Sequence, residues 1–448
     1  MQRSVTNIDD LGFIYFSVGK ENAPYMNRSI DNKLSGNSFL GGCDFFLRFF
    51  YYLFHSPLRY DKKLKKANAV MVYGESTNNR NTLLPIIEKL DSDTLIDIHS
   101  RNQYPKWKQY WYALPHFGKL IKEIRNSKEE RKDIIRYFFA KFWVMYGCNK
   151  AAGELLDFYR PSILVMANDH LHFNRSLMRE ANLRGITTLY VQHAAVTDRF
   201  PALSFAYSLL DGEDSYGKYK MREETSGNIY LSGGIRFDAI KGLEKRKEEG
   251  MTVGVAINQI DEEAIVKNVC LQLKDTNVKG QPVKVVLRPH PQMELDAWKE
   301  WCDKNGVSFS VARTESSFQF LSRISVLVSD QSSIHLDAAM CHTPSVVYSF
   351  SSVEQEDFYS FVKNGLAVKA SNIESLTSFI ANSGEYGVPQ NAVKYYNCSY
   401  GTSYEGNVAT MMADLVKSIK GNNIEDFNKQ YGFKLIESTE NRKVYRVS

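Results

Sequence analysis

The sequence predicts an α/β protein whose two doubly wound domains face each other across a cleft. Short apolar runs alternate with helical stretches along most of the chain, a pattern typical of parallel βαβ units. A strongly charged stretch at residues 241–249 separates two such series of similar length. With 448 residues, 43% of them hydrophobic and 24% charged, the chain is long enough for two or three soluble domains.

The first series lies at residues 67–240 and follows an irregular or amphipathic lead-in at residues 1–66. Residues 101–160 are predicted to form an aromatic and basic helical insertion within this domain. The apolar runs of the series predict strands, and its longer amphipathic stretches predict helices. The predicted strands are 69–73, 94–98, 162–167 and 187–191, and the predicted helices are 81–90 and 174–183.

The second series lies at residues 250–390, and residues 391–448 are predicted to form a C-terminal helix and tail. Ligands of doubly wound sheets bind outside the carboxyl ends of the strands, so the residues after each strand are the functional candidates. The predicted strands are 252–256, 283–287, 308–311, 326–328 and 345–348, and the predicted helices are 261–273 and 332–340.

Several classes of protein do not fit the sequence. The most apolar segment, residues 39–54, is interrupted by Asp44 and Arg48 and is shorter than the ~20 residues that a membrane-spanning helix requires. The first ten residues lack the basic start and apolar run of a signal peptide. The six cysteines have no metal-ligand spacing, which argues against a zinc site and a disulfide framework and favours a reducing cytoplasm.

One segment carries the whole basic surplus of the chain. Residues 101–150 contain twelve Lys and Arg against four Asp and Glu, together with twelve aromatic residues. This mixture suits an anionic membrane surface or a nucleic acid. It also suits amphipathic helices with solvated basic faces and an aromatic core side. Both interpretations stay open at this point.

Two predicted strand ends of the second domain carry groups suited to an anion. Arg288-Pro-His290-Pro follows strand 283–287, and its prolines stiffen the turn. Ser329-Asp-Gln-Ser332-Ser333 follows strand 326–328 and opens a helix that contains Asp337. Serines at a helix start can bind an anion or can simply cap the helix. Together the two motifs favour a phosphate or diphosphate site.

These motifs resemble the donor domain of bacterial GT-B type glycosyltransferases, which have two Rossmann-like domains. The similarity is to the CDP-glycerol glycerophosphotransferases of teichoic acid and capsule synthesis and to the sialyl- and Kdo-transferases. Residues 231–238, with Gly234, Arg236 and Asp238, resemble the Gly-x-x-Arg-x-Asp segment between the domains of those enzymes. Gln192-His193 resembles their acceptor-side Gln/Trp-His-Gly motif, with Ala194 where glycine is usual. The resemblance covers about residues 160–350.

The resemblance implies that a sugar or polyol phosphate is transferred from a nucleotide-activated donor, with a cytidine nucleotide as first choice. A bacterial surface glycan or lipid-linked molecule would be the acceptor. The base that deprotonates the acceptor would be His193 or Asp169, with Asp211, Glu213 and Asp214 next. Neither a metal nor another cofactor is expected. The donor phosphates and nucleotide would be bound by Arg288, His290, Ser329, Ser332, Ser333 and Asp337.

Three other functions remain open from the sequence. A UDP-sugar 2-epimerase would share the two-domain architecture, and a nucleic-acid-binding protein, the less favoured partner class, would use the basic segment. A nucleotide-binding scaffold would need no base. For the transferase we expect a cytoplasmic location with peripheral attachment to the inner face of the cytoplasmic membrane, through the basic aromatic segment and residues 45–54.

Overall fold

The computed structural model describes residues 38–128, 132, 135–136, 138–196, 200–222, 224–243, 250–353 and 355–447. These residues form two compact units. The first unit contains the described residues up to Gly233 together with residues 408–447, and the second unit runs from Gly234 to Asn407. Most of the predicted lead-in and residues 244–249 of the charged stretch lie outside the described residues.

The first part of unit 1 alternates strands with helices, and the insertion between its second and third strands is helical. Its helices are α1 (Ser38–His55), α2 (Thr77–Ile87), α3 (Trp107–Ala113), α4 (Phe117–Asn126), α5 (Phe139–Tyr159), α6 (His172–Leu183) and α7 (Glu213–Lys220). Its strands are β1 (Val70–Tyr73), β2 (Leu95–Ile98), β3 (Ile163–Met166), β4 (Thr187–Val191), β5 (Tyr207–Leu210) and β6 (Gly227–Leu231).

Unit 2 opens with a 3-10 helix at Ile235–Ile240 and then repeats the strand–helix alternation. Its strands are β7 (Thr252–Ile257), β8 (Asn277–Val278), β9 (Gln281–Pro282), β10 (Lys284–Pro289), β11 (Ser308–Phe309), β12 (Val326–Ser329), β13 (Ser345–Tyr348) and β14 (Val368–Ala370). Its helices are α8 (Glu263–Lys274), α9 (Leu295–Asn305), α10 (Ser317–Ser322), α11 (Ile334–Met340), α12 (Ile373–Ala381) and α13 (Gln390–Tyr396).

Each unit is built on one large sheet, and only the sheet of unit 1 has an antiparallel pair, at one edge. The sheet of unit 2 has the order β11-β10-β7-β12-β13-β14, and all its pairs are parallel. β7 is buried along its whole length, as a parallel strand covered by helices on both faces should be. The predicted fold class, α/β with two Rossmann-like domains, is therefore confirmed.

The last 40 described residues complete the sheet of unit 1. They form α14 (Val408–Gly421), α15 (Ile424–Tyr431), β15 (Phe433–Ser438) and β16 (Arg442–Val447). β16 pairs in parallel with β6, and β15 pairs antiparallel with β16, so that the order is β15-β16-β6-β5-β4-β3-β1-β2. A helix and tail were expected here from the sequence. The two strands were not predicted, because their alternating charged residues are typical of exposed segments.

An aromatic core holds the helical insertion of unit 1 together. The Phe45 ring of α1 stacks on the Trp143 ring of α5, with ring centroids 3.9 Å apart. Gly147 lets α5 approach α3 closely, because a Cβ atom there would lie 1.9 Å from the carbonyl oxygen of Gln109. Among the described residues, no helix is long and apolar enough to cross a membrane.

We expect Phe433 to be a stability determinant of unit 1. Its ring is 5% exposed and packs against Tyr230 of β6 and Phe427 of α15. Phe433→Ala should lower the free energy of unfolding by about 3–5 kcal/mol, the usual cost of removing a buried aromatic side chain. Leu435→Ala, on the same strand but 51% exposed, should cost less than about 1 kcal/mol. Urea unfolding followed by circular dichroism measures both, and equal losses would contradict this packing.

Candidate functional site

The carboxyl ends of β3 and β4 place Asp169 among three polar rings. Asp169 is 1% exposed, and its Oδ1 accepts a hydrogen bond from His170 Nδ1 at 2.9 Å. Its Oδ2 accepts from the hydroxyl group of Tyr219, which lies 3.5 Å from the Tyr190 hydroxyl. Both carboxylate oxygens are therefore engaged by groups of unit 1.

His170 was not among the site residues that the sequence analysis selected. A carboxylate oxygen accepts hydrogen bonds, so the contact with Asp169 matches the tautomer of His170 that carries its proton on Nδ1. The Asn168 amide group lies 3.3 Å from Nε2, and Asn168 Oδ1 also accepts from the His170 backbone. The tripeptide Asn168-Asp169-His170 is the sequence signal that could have revealed this arrangement.

His193 lies beside this pair at the end of β4. Its ring is 6.0 Å from the His170 ring, centroid to centroid, and the two rings are nearly parallel. Burial lowers the pKa of His193 to about 4, while the charge of Asp169 and a hydrogen bond to the backbone of Ala167 raise it. Its Nδ1 is buried and has no hydrogen-bond partner among the described residues. His193 is therefore a neutral imidazole at pH 7.

The neighbouring candidates have other partners. Gln192 holds the turns after β4 and β5 together, because its side-chain oxygen accepts from the backbone of Asp211 and its amide group donates to Ser215. Glu213 pairs with Arg446 of β16, and Asp214 pairs with Lys218 at 2.6 Å. The carboxylates of Glu213 and Asp214, both on α7, are thus engaged in ion pairs.

In unit 2, Arg288 is turned into the layer between the sheet and α10. It is 9% exposed, donates to Ser310 Oγ at 2.7 Å and to the Glu315 carbonyl at 2.9 Å, and lies over the Phe320 ring. The reason is that β10 continues to Pro289, so Arg288 lies within the strand rather than after it. Its side chain then shares a sheet face with Val286, two residues earlier.

The other predicted donor-site residues of unit 2 lie at or just beyond the strand ends. His290 is exposed, and partial burial still lowers its pKa below the usual value. Ser329 is the last residue of β12, and its hydroxyl group donates to the Ala256 carbonyl inside the sheet. Ser332 and Ser333 are half-buried and precede α11. Ser332 Oγ accepts from the Ile334 backbone at 3.4 Å, whereas the side chain of Ser333 forms no cap hydrogen bond.

Arg236 and Asp337 lie next to each other in the structure. They belong to separate sequence motifs, which did not predict this contact. Arg236 lies 3.3 Å from Asp337 Oδ1, and Ser317 donates to Asp337 Oδ2. The Asp337 side chain is 10% exposed, whereas the Arg236 side chain is 33% exposed. Gly234 donates its backbone N–H to Asn397, and Asp238 lies in the 3-10 helix that follows. Arg236 is thus a partly exposed cation held by a buried carboxylate.

A carboxylate at the strand-order switch of unit 2 was not among the site residues predicted from the sequence. The chain passes from β7 to β10 and β11 on one side and returns to β12 on the other, so the crevice for a ligand lies between β7 and β12. Asp261 follows β7 and accepts from the Asn258 backbone at 2.7 Å. Burial raises the pKa of Asp261 to about 7, with the charge of Asp330 as a further cause. Asn258 also donates to the Gln331 carbonyl after β12.

No cluster of metal-binding side chains is found in the part of the chain that the structure describes. Among these residues, no group of three or more His, Cys, Asp or Glu side chains is placed to hold a metal ion. The polar groups at the strand ends of each unit are instead suited to hydrogen bonding and proton transfer.

The proteins found to be similar to this chain are all solved structures. No family model and no curated protein matches the chain. It is similar to the UDP-GlcNAc 2-epimerase of Neisseria meningitidis, with 14% identity, a TM-score of 0.45, and coverage of 78% of this chain and 99% of that one. The UDP-GlcNAc 2-epimerase of Methanocaldococcus jannaschii gives 10% identity, a TM-score of 0.46, and coverage of 78% and 99%.

A teichoic acid enzyme is also among these neighbours. The wall teichoic acid polymerase TagF shows 12% identity and a TM-score of 0.45, and the similarity covers 91% of this chain and 100% of that one. Both kinds of enzyme considered in the sequence analysis, teichoic acid enzymes and UDP-sugar epimerases, thus occur among the similar structures.

We expect His193 to remain neutral down to about pH 4, because burial lowers its pKa to that value. In the unfolded chain His193 titrates near its ordinary pKa of 6.5, so its burial stabilises the fold fully only above that pH. The stability is then lost as the pH falls from 6.5 towards 4. Asp169→Asn should lower the pKa of His193 further, because it removes the negative charge that favours the imidazolium.

Histidine ring signals in NMR spectra recorded from pH 3.5 to 8 measure this pKa. Asp214→Asn is the matched control, because Asp214 is paired with Lys218 and is not among the charges that act on His193. An unchanged or higher His193 pKa in Asp169→Asn would contradict the arrangement.

Proposed function

We propose that the chain is a transferase that moves a sugar or polyol phosphate from a CMP- or CDP-linked donor to a bacterial surface glycan or lipid-linked acceptor. The observation that carries this proposal is the neutral His193 imidazole beside the Asp169–His170 pair at the carboxyl ends of β3 and β4. A transferase needs a base of this kind for the acceptor hydroxyl group. Unit 1 would bind the acceptor and unit 2 the donor.

In the proposed reaction, His193 takes the proton of the acceptor hydroxyl group. The acceptor oxygen then bonds to the transferred carbon or phosphorus atom, and the bond from that atom to the nucleotide phosphate breaks. The charge of Asp169 stabilises the imidazolium that forms, as its effect on the pKa of His193 indicates. The hydroxyl group must replace the contacts that enclose His193 Nδ1 in this structure.

Asp169 fits the role of a positioning group better than that of the base. Both of its oxygens already accept hydrogen bonds, from His170 and Tyr219, and it is almost fully buried. A carboxylate in this position can fix the ring of His170 and supply charge without reaching the acceptor. This supports the order in which the sequence analysis ranked the two residues.

The leaving nucleotide phosphate would be met by partly exposed groups of unit 2. Arg236 supplies a guanidinium held by Asp337, and His290 supplies an exposed imidazole on a proline-stiffened turn. Ser332 and Ser333 add hydroxyl groups at the start of α11. In this proposal Arg288 supports the site from within, because Ser310 and Glu315 occupy its guanidinium.

His193→Ala should lower kcat for transfer by about 10²–10⁴-fold, the usual contribution of a general base, while donor binding survives. His290→Ala should lower kcat by about 10²-fold, as for the loss of one group that stabilises developing charge. The lower limb of the pH profile of kcat/KM should lie near pH 4, the pKa of His193 in the free protein. His116→Ala, a half-buried histidine that stacks on Tyr146, is the control.

The assay follows release of the nucleotide and formation of product from CMP-, CDP- and UDP-linked donors, with thermal stabilisation by each nucleotide as the binding readout. A wild-type rate in His193→Ala would contradict the proposed base. Conversion of UDP-GlcNAc to its epimer without an acceptor would identify an epimerase instead.

We also propose that the enzyme works at the cytoplasmic face of an anionic membrane. The exposed side chains of α1 and their neighbours support this and are here called the aromatic surface: Phe39, Phe46, Leu47, Phe50, Phe54, Leu58, Trp111 and Phe117. Exposed Lys119, Lys122 and Arg125 lie on α4 beside Phe117, and Lys62 and Lys63 follow α1. Each such charge near an anionic surface contributes about 1 kcal/mol.

The structure leaves a smaller surface for membrane contact than the sequence indicated. Much of the segment 101–150 is core, since Tyr104, Tyr110, Phe139 and Trp143 are buried. Several of its lysines are also engaged internally: Lys106 and Lys108 pair with Glu75 and Glu154, and Lys150 lies over the Tyr112 ring. The membrane proposal therefore rests on the outer face of α1 rather than on the whole basic segment.

The double variant Phe50→Ser/Phe54→Ser should lose binding to phosphatidylglycerol vesicles, because it removes two exposed rings from the aromatic surface. Phe358→Ser, which removes a 54% exposed ring in unit 2, should bind like the wild type. Co-sedimentation at low and high salt measures binding, and high salt should weaken it. Recovery of the wild type in the supernatant under every condition would refute membrane attachment and leave the transferase proposal intact.

A further inference from the structure

A second group of polar side chains, different from the residues around Asp169, lies near the carboxyl end of β1. Glu75 follows β1, and its Oε1 accepts from the Tyr104 hydroxyl group at 2.7 Å. Its Oε2 accepts from Lys106 Nζ at 2.7 Å. The Glu75 and Lys106 side chains are 24% and 18% exposed, so both can reach a bound molecule. We call Glu75, Lys106 and His172 the Glu75 group.

The position of the Glu75 group matches the strand-order switch of unit 1. From β1 the chain passes to β2 on one side and returns to β3 on the other. The crevice that a ligand occupies in such a sheet opens between the carboxyl ends of the two strands where the order reverses. Glu75 follows β1, and His172 is the first residue of the helix after β3. The two therefore flank this crevice.

Aromatic packing fixes the two sides of the crevice. The Tyr104 ring stacks on the Phe173 ring of α6, with centroids 5.6 Å apart, and the Tyr73 ring at the end of β1 lies 5.7 Å from Phe173. Tyr73 and Tyr104 also share a hydrogen bond of 3.1 Å between their hydroxyl groups. Tyr104, which donates a hydrogen bond to Glu75, is thus held in place by Phe173 and Tyr73.

Two polar atoms near the crevice have no hydrogen-bond partner among the described residues. They are Nδ1 of His172 and Oδ1 of Asn79, which is 2% exposed and lies on the first turn of α2. The Asn79 Cβ is 3.5 Å from where a Cβ at Gly74 would lie, so Asn79 packs directly against the end of β1. Unpaired buried polar atoms are costly, and a bound hydroxyl group would satisfy them.

The chemistry of the group suits sugar hydroxyls better than an anion. The Glu75 carboxylate still has lone pairs that accept hydrogen bonds, and the Lys106 ammonium has further protons to donate. Burial lowers the pKa of His172 to about 4, so its neutral ring offers one donor and one acceptor. The Glu75–Lys106 pair is neutral overall, and Glu75 would repel a phosphate. A sugar hydroxyl both donates and accepts, and it matches this mixture.

We propose that the Glu75 group binds the hydroxyl groups of the acceptor sugar at the crevice between β1 and β3. This inference rests on the proposed transferase function and adds the class of acceptor, a neutral sugar residue rather than a charged phosphate. Glu75 and Lys106 act in it as binding residues, and the base stays with His193.

Methyl glycosides of glucose, galactose, N-acetylglucosamine and N-acetylmannosamine, each up to 100 mM, are the probes. At least one should shift the His172 ring signal in NMR spectra of the full chain in a saturable way. Glu75→Gln should weaken that response at least tenfold, since hydrogen bonds to a charged group contribute about 1.5–3 kcal/mol. Glycerol 3-phosphate should bind more weakly than the best glycoside.

Glu154→Gln is a closely matched control. Glu154 has the same kinds of partner, because it accepts from the Tyr112 hydroxyl group and from Lys108 Nζ, but it lies on α5 and not after a strand. Its charge is also not among those that act on His172. This variant should bind the glycoside like the wild type. Equal weakening in both variants, or no response of the wild type to any glycoside, would overturn the proposal.

Nucleotide binding separates this proposal from the transferase proposal. Thermal stabilisation by CMP, CDP or UDP depends on unit 2 and should be unchanged in Glu75→Gln. If a nucleotide stabilises the wild type but no glycoside binds, the acceptor subsite is refuted alone. If glycosides bind with the expected difference between the variants and no nucleotide does, the subsite is supported and the transferase proposal fails.

Discussion

Burial of the parallel strands on both faces is the constraint on which the rest of the structure depends. β1, β3 and β7 are buried along their whole length, so their middle residues must be apolar and can hold no exposed polar group. Polar chemistry is thereby confined to the strand ends. Because neighbouring parallel strands end at the same edge, side chains far apart in sequence come together there, as Glu75 and His172 do.

The same burial determines the protonation of the groups at these edges. His193, His172 and His335 all have a pKa lowered to about 4, with burial as the largest cause. Asp261 shows the opposite shift, to about 7, for the same physical reason, because burial disfavours whichever form is charged. At pH 7 the strand ends therefore present neutral imidazoles that can accept a proton.

The sequence was sufficient for the fold class and for most central strands, because those strands are short continuous apolar runs. It was insufficient for β5, β6 and β16, whose runs contain Ser208, Asn228 or repeated charges and are typical of exposed segments. Strand length was the second difficulty. β10 ends two residues later than predicted, which moves Arg288 from the strand end into the layer against Phe320.

The hydrogen-bond and ion-pair partners of the site residues could not be predicted from the sequence. His193 and Asp169 were selected, but the role of Asp169 depends on Tyr219, which is fifty residues away and approaches only through the fold. Arg236 and Asp337 were assigned to different motifs, and only the structure pairs them. Glu75 is not part of any sequence motif. It is a candidate because of the strand order, which was not predicted from the sequence.

The course of the chain makes unit 1 depend on its last residues. The chain leaves unit 1 after Gly233, builds the whole of unit 2, and returns at Val408. β6 pairs with β5 on one side, and its other edge is covered only by β16, at residues 442–447. Until those residues are synthesised, β6 exposes unpaired backbone groups, which favour pairing with other chains. Unit 2 has no such dependence, because its strands lie in one continuous segment, so it can fold before the sheet of unit 1 is complete.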